Sequence, residues 1–169
     1  MSMNTNLRRS AVSMLVLLAM ASPLRAEQVA VAPEPSAEAS LNVYKSPTCG
    51  CCGDWIAHAE QNGFSTRAFH PPQLTRMKLE LGIQQRFHSC HTAVSGSGYL
   101  FEGHVPARLV KQFLSDPPEG ALGLSAPGMP MGSPGMEMGD RFQPYQVLLL
   151  KKDGGYEVYA TIEEPSQQY

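Results

Sequence analysis

Cys49-Gly50-Cys51-Cys52 places three of the chain's four cysteines within four residues. The fourth, Cys90, is followed directly by His91. Thiols crowded in this way can pair as disulfides, exchange disulfides with a partner, or bind a soft metal. Four cysteines allow three pairings, but a bridge between adjacent Cys51 and Cys52 is strained. The remaining pairings staple one loop to itself and to Cys90. Exchange has a Cys-x-x-Cys frame in Cys49 and Cys52 at a helix start, where the helix dipole lowers a thiol's pKa. Cys51 is awkward for simple exchange because it offers a competing partner. Metal binding makes use of it. Several thiolates without a set of hard ligands select Cu(I), with Zn(II) the weaker candidate. Zn(II) would take Cys49, either Cys51 or Cys52, Cys90 and a histidine. Adjacent cysteines do not easily serve one tetrahedral ion, but they can bridge neighbouring ions. The pattern therefore favours a thiolate-bridged Cu(I) cluster with several ions per chain.

Other candidate ligands are His91, His104 in Gly-His-Val-Pro, and Met129, Met131 and Met136 in a Gly/Pro-rich stretch. Thioethers suit Cu(I), although methionines also fill gaps in cores. His88 and Met138 are weaker candidates. His58 and His70 read as surface residues, and Trp55 as packing beneath the cysteines. Asp54 and Glu102 have no evident catalytic partner. No hydrolase triad or phosphate loop is present, and oxidoreduction, of copper or of thiols, is the enzymatic chemistry left open.

The elements that must position these residues follow from periodicity and breakers. Residues 41–45 read as a strand entering the cysteines, and about 53–61 as the helix leaving them. Asn62-Gly63 supplies a helix stop. Residues 64–69 read as a second strand, and 73–81 as a second helix with Leu74, Met77, Lys78 and Leu81 at helical spacing. Residues 92–94 and 99–102 flank Ser-Gly-Ser-Gly as a hairpin. Pro106 opens a third helix to about 114. The stretch 116–140 reads as an ordered loop, functional by its length. Residues 145–150 and 156–161 form a terminal hairpin around Asp-Gly-Gly. The resulting fold class is α/β: a thioredoxin-like central mixed sheet with flanking helices, a long Met/Gly/Pro loop and an added C-terminal hairpin. In that order the loop entering the third strand faces the motif, which brings Cys90 to the other cysteines.

Length and composition limit the remaining options. At 169 residues, 43% hydrophobic and 17% charged, the chain has the material for about one domain. A net charge of -2, with scattered lysines and arginines, argues against nucleic acid or an anionic membrane as partner. Arg8-Arg9, the apolar run from Ala11 to Ala21 and the small residues after it read as a secretory signal peptide over 1–26, too short to span a bilayer comfortably. Residues 27–40, rich in Ala, Pro, Glu and Val, read as a flexible linker. The folded domain is then 41–162, with 163–169 as a tail, exported most simply to a bacterial periplasm that tolerates disulfides.

Four motifs carry a resemblance: residues 43–55 (Val-Tyr-Lys-Ser-Pro-Thr-Cys-Gly-Cys-Cys-Gly-Asp-Trp), 89–93 (Ser-Cys-His-Thr-Ala), 102–106 (Glu-Gly-His-Val-Pro) and 127–137 (Pro-Gly-Met-Pro-Met-Gly-Ser-Pro-Gly-Met-Glu). In this order they are similar to the bacterial periplasmic Cys-x-Cys-Cys family of thioredoxin-like metal-binding proteins, which includes the copper-resistance protein CopG. The resemblance covers about 41–159. It implies copper binding in copper resistance, with interconversion of Cu(I) and Cu(II) as a proposed role. It also implies Cys49, Cys51, Cys52 and Cys90 as the metal ligands. Expected partners are copper ions and other periplasmic copper-handling proteins. The alternative reading is a metal-independent periplasmic thiol–disulfide oxidoreductase.

Overall fold

The computed structural model describes residues 39–169. The signal peptide expected over 1–26 lies outside the described residues, as does most of the linker expected over 27–40. Among the described residues no helix is long and apolar enough to cross a membrane.

Strand β1 (Ser40–Lys45) runs into helix α1 (Gly50–Gln61), followed by β2 (Ser65–Phe69), α2 (Leu74–Glu80), β3 (His91–Ser95), β4 (Leu100–Gly103) and α3 (Ala107–Ser115). β5 (Ala121–Ala126), β6 (Tyr145–Lys151) and β7 (Tyr156–Ile162) complete a seven-stranded mixed sheet of order β2-β1-β3-β4-β5-β6-β7. β1/β2 and β4/β5 pair in parallel, and every other neighbouring pair is antiparallel. The parallel pairs are those joined through α1 and α3, because strands running the same way need a crossover connection.

Successive strand side chains point to opposite faces, and the core divides accordingly. One face gathers Val43, Phe101, Leu124, Val147 and Leu149 with Trp55 of α1 and Leu109, Val110 and Phe113 of α3. The other face carries Leu100, Leu148 and Leu150 against Ile83 and Phe87, which follow α2. The described chain is thus a mixed α/β structure with three α-helices.

Several expectations need correction. α1 starts at Gly50, not near residue 53, with Cys49 as an extended N-cap. The cysteines therefore lie on the first helical turn and not on a loop before it. The stretch 116–140 is not all loop, because β5 occupies Ala121–Ala126. Its Ala-Leu-Gly-Leu-Ser-Ala sequence lacks large β-branched residues, and a central position between β4 and β6 compensates for weak propensity. The segment 163–169 is not a loose tail. It forms a short 3-10 turn, Pro165–Gln168, and Gln168 is buried, accepting from Tyr145 Oη at 2.7 Å and donating to Gly132 O at 2.9 Å.

His58 is likewise buried, whereas His70 is exposed as expected. His58 Nε2 accepts the Ala107 N–H at 3.1 Å, which caps the start of α3 from α1. Burial lowers its pKa, and the Glu137 carboxylate opposes this more weakly. An unfolded histidine titrates near 6.5, so between that pH and the lower folded value the unfolded chain binds more protons. The contribution of His58 to stability is therefore full above the unfolded pKa and is lost as pH falls through the folded one. Urea unfolding of wild type and His58→Gln from about pH 7.5 to about pH 5 should show a gap that narrows with acidity. A gap independent of pH would remove this account.

Candidate metal centre

Four sulfur atoms meet at the N-terminus of α1. Cys49, Cys51, Cys52 and Cys90 offer Sγ atoms that all lie within 4.8 Å of one another. Cys49 and Cys52 form a disulfide, the i,i+3 pair that one helical turn brings together. Cys51 and Cys90 are free thiols, both half-buried, and Cys51 Sγ lies 3.5 Å from Cys49 Sγ. No side chain of the N-cap residue bonds α1, so its first-turn N–H groups and the positive end of its dipole have no capping side chain there.

Cys90 precedes β3, whose register places His91 opposite Lys45 at the end of β1. This pairing brings the distant cysteine to the motif that follows β1. Cys90 Sγ is 3.3 Å from His91 Nδ1 and 3.0 Å from His104 Nε2. Cys90, His91 and His104 form a second cluster of donor atoms within 4.8 Å of one another, sharing Cys90 with the first. His104 Nδ1 donates to Pro134 O at 2.8 Å, which fixes the tautomer and leaves Nε2 with its lone pair facing Cys90. His91 is fully buried between Trp55 and His104, at ring distances of 4.6 Å and 5.1 Å. Its Nε2 is a buried nitrogen with no hydrogen-bond partner among the described residues. The nitrogen that faces Cys90 is Nδ1, so Nε2 is a second, unpartnered polar atom of the same ring.

Burial sets the protonation of the cluster. Burial, reinforced by the neighbouring Cys51, pushes the Cys90 thiol up to about 12. Burial holds His91 well below its ordinary value, with His104 adding to the effect, and burial also lowers His104. Both imidazoles are therefore neutral near pH 7, each with a nitrogen lone pair to offer, while Cys90 keeps its proton.

The methionine loop reaches the centre at three points. Gly128 N donates to His88 O at 3.2 Å, and Ser89 Oγ donates to Gly128 O. Pro134 bonds His104, and Gly135 lies on the first turn of α1. A Cβ on Gly135, at φ +82°, would lie 2.6 Å from Trp55 N and 2.8 Å from Cys51 O. Met136, next to Gly135, and Met131 are half-buried, whereas Met129 is exposed. Met138 is also exposed, with its sulfur 3.9 Å from an Arg141 nitrogen. His88 turns away from the cluster, with its Nε2 2.9 Å from Ile83 O.

Two solved structures of the copper resistance protein CopG resemble this chain closely. Form 1 is 41% identical with a TM-score of 0.68, and covers 73% of this chain and 96% of its own. Form 2 is 40% identical with a TM-score of 0.69, covering 73% and 97%. This chain belongs to the CopG family. The family described as "Protein of unknown function, DUF411" matches residues 87–136, which run from just before Cys90 to Met136. No curated protein matches.

Within this CopG-family fold, sequence reasoning missed Lys78 and Glu102. They form a buried ion pair beside Cys90. The signal was present, since each charge sits in an apolar register: Lys78 among the core-facing positions of α2, and Glu102 in a strand buried throughout.

The seat of Gly135 leaves no room for a side chain, and its positive φ disfavours one. Gly135→Ala should lower stability by roughly 1–3 kcal/mol. It should also increase proteolysis within 128–140 of the metal-free protein, measured by limited digestion. An unchanged cleavage rate would show that the loop does not depend on this contact.

Proposed function

We propose that this chain is a copper-binding protein of copper resistance, exported to the periplasm after removal of its signal peptide. In this reading Cys49, Cys51, Cys52 and Cys90 hold Cu(I) in a cysteine-bridged cluster. His91 and His104 complete its edge, and Met129, Met131 and Met136 offer thioethers at its rim. Zinc is less well suited, because adjacent Cys51 and Cys52 favour bridging over a single tetrahedral ion. The observation that carries the reading is the meeting of four sulfurs and two neutral imidazoles, one with an orphaned buried nitrogen, at a single helix start. The CopG relatives, described as copper resistance proteins, supply the choice of metal.

The order β1-α1-β2-α2-β3-β4-α3, with strand neighbours β2-β1-β3-β4, supports a thioredoxin-like core to which β5, β6 and β7 are added. Such a core explains why the motif follows β1 and Cys90 precedes β3. Copper is cargo here. Loading all four sulfurs requires two-electron reduction of the Cys49–Cys52 bond by an external thiol reductant, which becomes a disulfide, and each thiol then releases its proton to solvent as the ion binds. Thiolates favour Cu(I) and imidazoles accept Cu(II), so the same donors are compatible with interconversion of the two states. A metal-independent exchange role is not favoured, since it has no use for Cys51, His91 or His104. The partners in this reading are copper ions and other periplasmic copper-handling proteins.

Anaerobic reconstitution of the reduced protein with Cu(I), followed by elemental analysis, tests the cluster. Wild type should bind more than one copper per chain. The Cys51→Ser/Cys90→Ser variant should lose about half of the copper or more, because bridging ligands are shared between ions. An unchanged stoichiometry would overturn the cluster.

A further inference from the structure

Lys78 and Glu102 form an ion pair whose side chains are 3% and 0% exposed. The other ion pairs among the described residues, Arg76–Glu80 and Lys151–Glu157, are at the surface. Burying two charges in an apolar core seldom adds net stability over apolar residues of similar volume. What this pair holds is therefore more informative than what it contributes to folding.

Its hydrogen bonds converge on the peptide groups around Cys90. Glu102 Oε1 accepts from Lys78 Nζ and from Ser89 N at 2.6 Å. Glu102 Oε2 accepts from Thr92 Oγ1 at 2.6 Å. Lys78 Nζ also donates to Ser89 O at 2.8 Å. The N–H and C=O of Ser89 are thus both bound to the pair, and the second of these belongs to the peptide that Cys90 completes. Two residues beyond Cys90, Thr92 is bound as well. Gly103, next to Glu102, brings β4 so close that a Cβ there would lie 2.5 Å from Ser89 Cβ. The backbone before Cys90, and the Thr92 side chain after it, are therefore bound by charged groups arriving from α2 and β4. Neither group touches a sulfur.

We infer that Lys78 and Glu102 are positioning residues for the metal centre, holding the Ser89–Cys90 peptide so that Cys90 Sγ faces Cys51 and the imidazoles. The inference rests on the reading of Cys90 as a metal ligand. It predicts that the pair can be removed with the fold kept and the placement of Cys90 lost.

The test uses Lys78→Met/Glu102→Leu, which removes both charges together and leaves neither buried alone. In the metal-free, disulfide-intact full chain only Cys51 and Cys90 are free. Iodoacetamide labelling, read by peptide mass spectrometry, gives the Cys90-to-Cys51 ratio within one molecule. Release of Cys90 should raise that ratio about tenfold relative to wild type, through loss of charge-assisted bonds to its flanking peptides. Lys78→Arg, which keeps the pair, should match wild type. A folded double variant with the wild-type ratio would overturn the inference. Should the double variant not fold, Thr92→Val decides: a raised ratio supports the inference and an unchanged one overturns it. In parallel, Ag(I) should protect Cys90 of the reduced wild type from labelling but protect it less in the variant. A wild-type Cys90 that stays reactive under saturating Ag(I) would overturn its ligand role, and with it the purpose assigned to the pair. The metal-free ratio would still report separately on placement.

Discussion

A carboxylate in a dry interior has to be fully satisfied, and Glu102 is satisfied by three donors from three different segments. This constraint determines where Cys90 can sit. If either charge were removed alone, the other would be left uncompensated, at roughly 3–5 kcal/mol. The two charges are therefore coupled, each tolerated in the interior only with the other, and together they tie α2 and β4 to the turn at Ser89. The cluster is mixed in how it is held, with three sulfurs set by the start of α1 and the fourth by a segment that the buried ion pair binds.

The same sulfurs can serve two incompatible bonding states. Cys49 and Cys52 form a disulfide in this structure, and in that state neither sulfur can act as a thiolate donor. Cys51, Cys90, His91 and His104 remain, a smaller donor set with more nitrogen character. Reduction restores all four sulfurs. The number and softness of available donors thus depend on the redox state of one bond, and soft ions gain most from reduction. The third cysteine of the motif stays free in either state, which gives it a use that a simple exchange pair would not supply.

The motif and its frame were legible because cysteine spacing, strand periodicity and the Asn62-Gly63 stop are local signals. The approach of Cys90 to the motif was legible only through the order of elements, since nothing near Cys90 reports what β3 pairs with. β5 escaped because its small residues, with Gly123 in the middle, look like loop. Its strand character is imposed by neighbours on both sides. His58 looked like a surface residue because helical periodicity cannot anticipate that α3 will begin against it. Lys78 and Glu102 were each visible as a charge in an apolar register. Their partnership was not, because α2 and β4 meet only in the folded chain. The C-terminal residues were misread for a related reason: a polar, Gln-rich end has no hydrophobic signal, yet Gln168 is buried through hydrogen bonds.

That last point bears on how the rim of the centre is built. Gln168 bonds Gly132 O, and Tyr169 Oη bonds Glu137 at 3.0 Å, so the chain's final residues grip the methionine loop from one side. From the other side His104 bonds Pro134, and the first turn of α1 receives Gly135. The loop between these grips carries Met131 and Met136. Its shape comes from backbone hydrogen bonds such as Gly132 N to Met136 O at 2.9 Å. Loops of this length are ordered only when something outside them supplies the enthalpy to offset chain entropy. Here that supply comes from the C-terminus, from His104, and from the helix at whose start the other three cysteines lie. Two of these anchors belong to the cysteine–histidine cluster, so a change there that moved His104 or the α1 turn would act directly on the thioether-bearing loop.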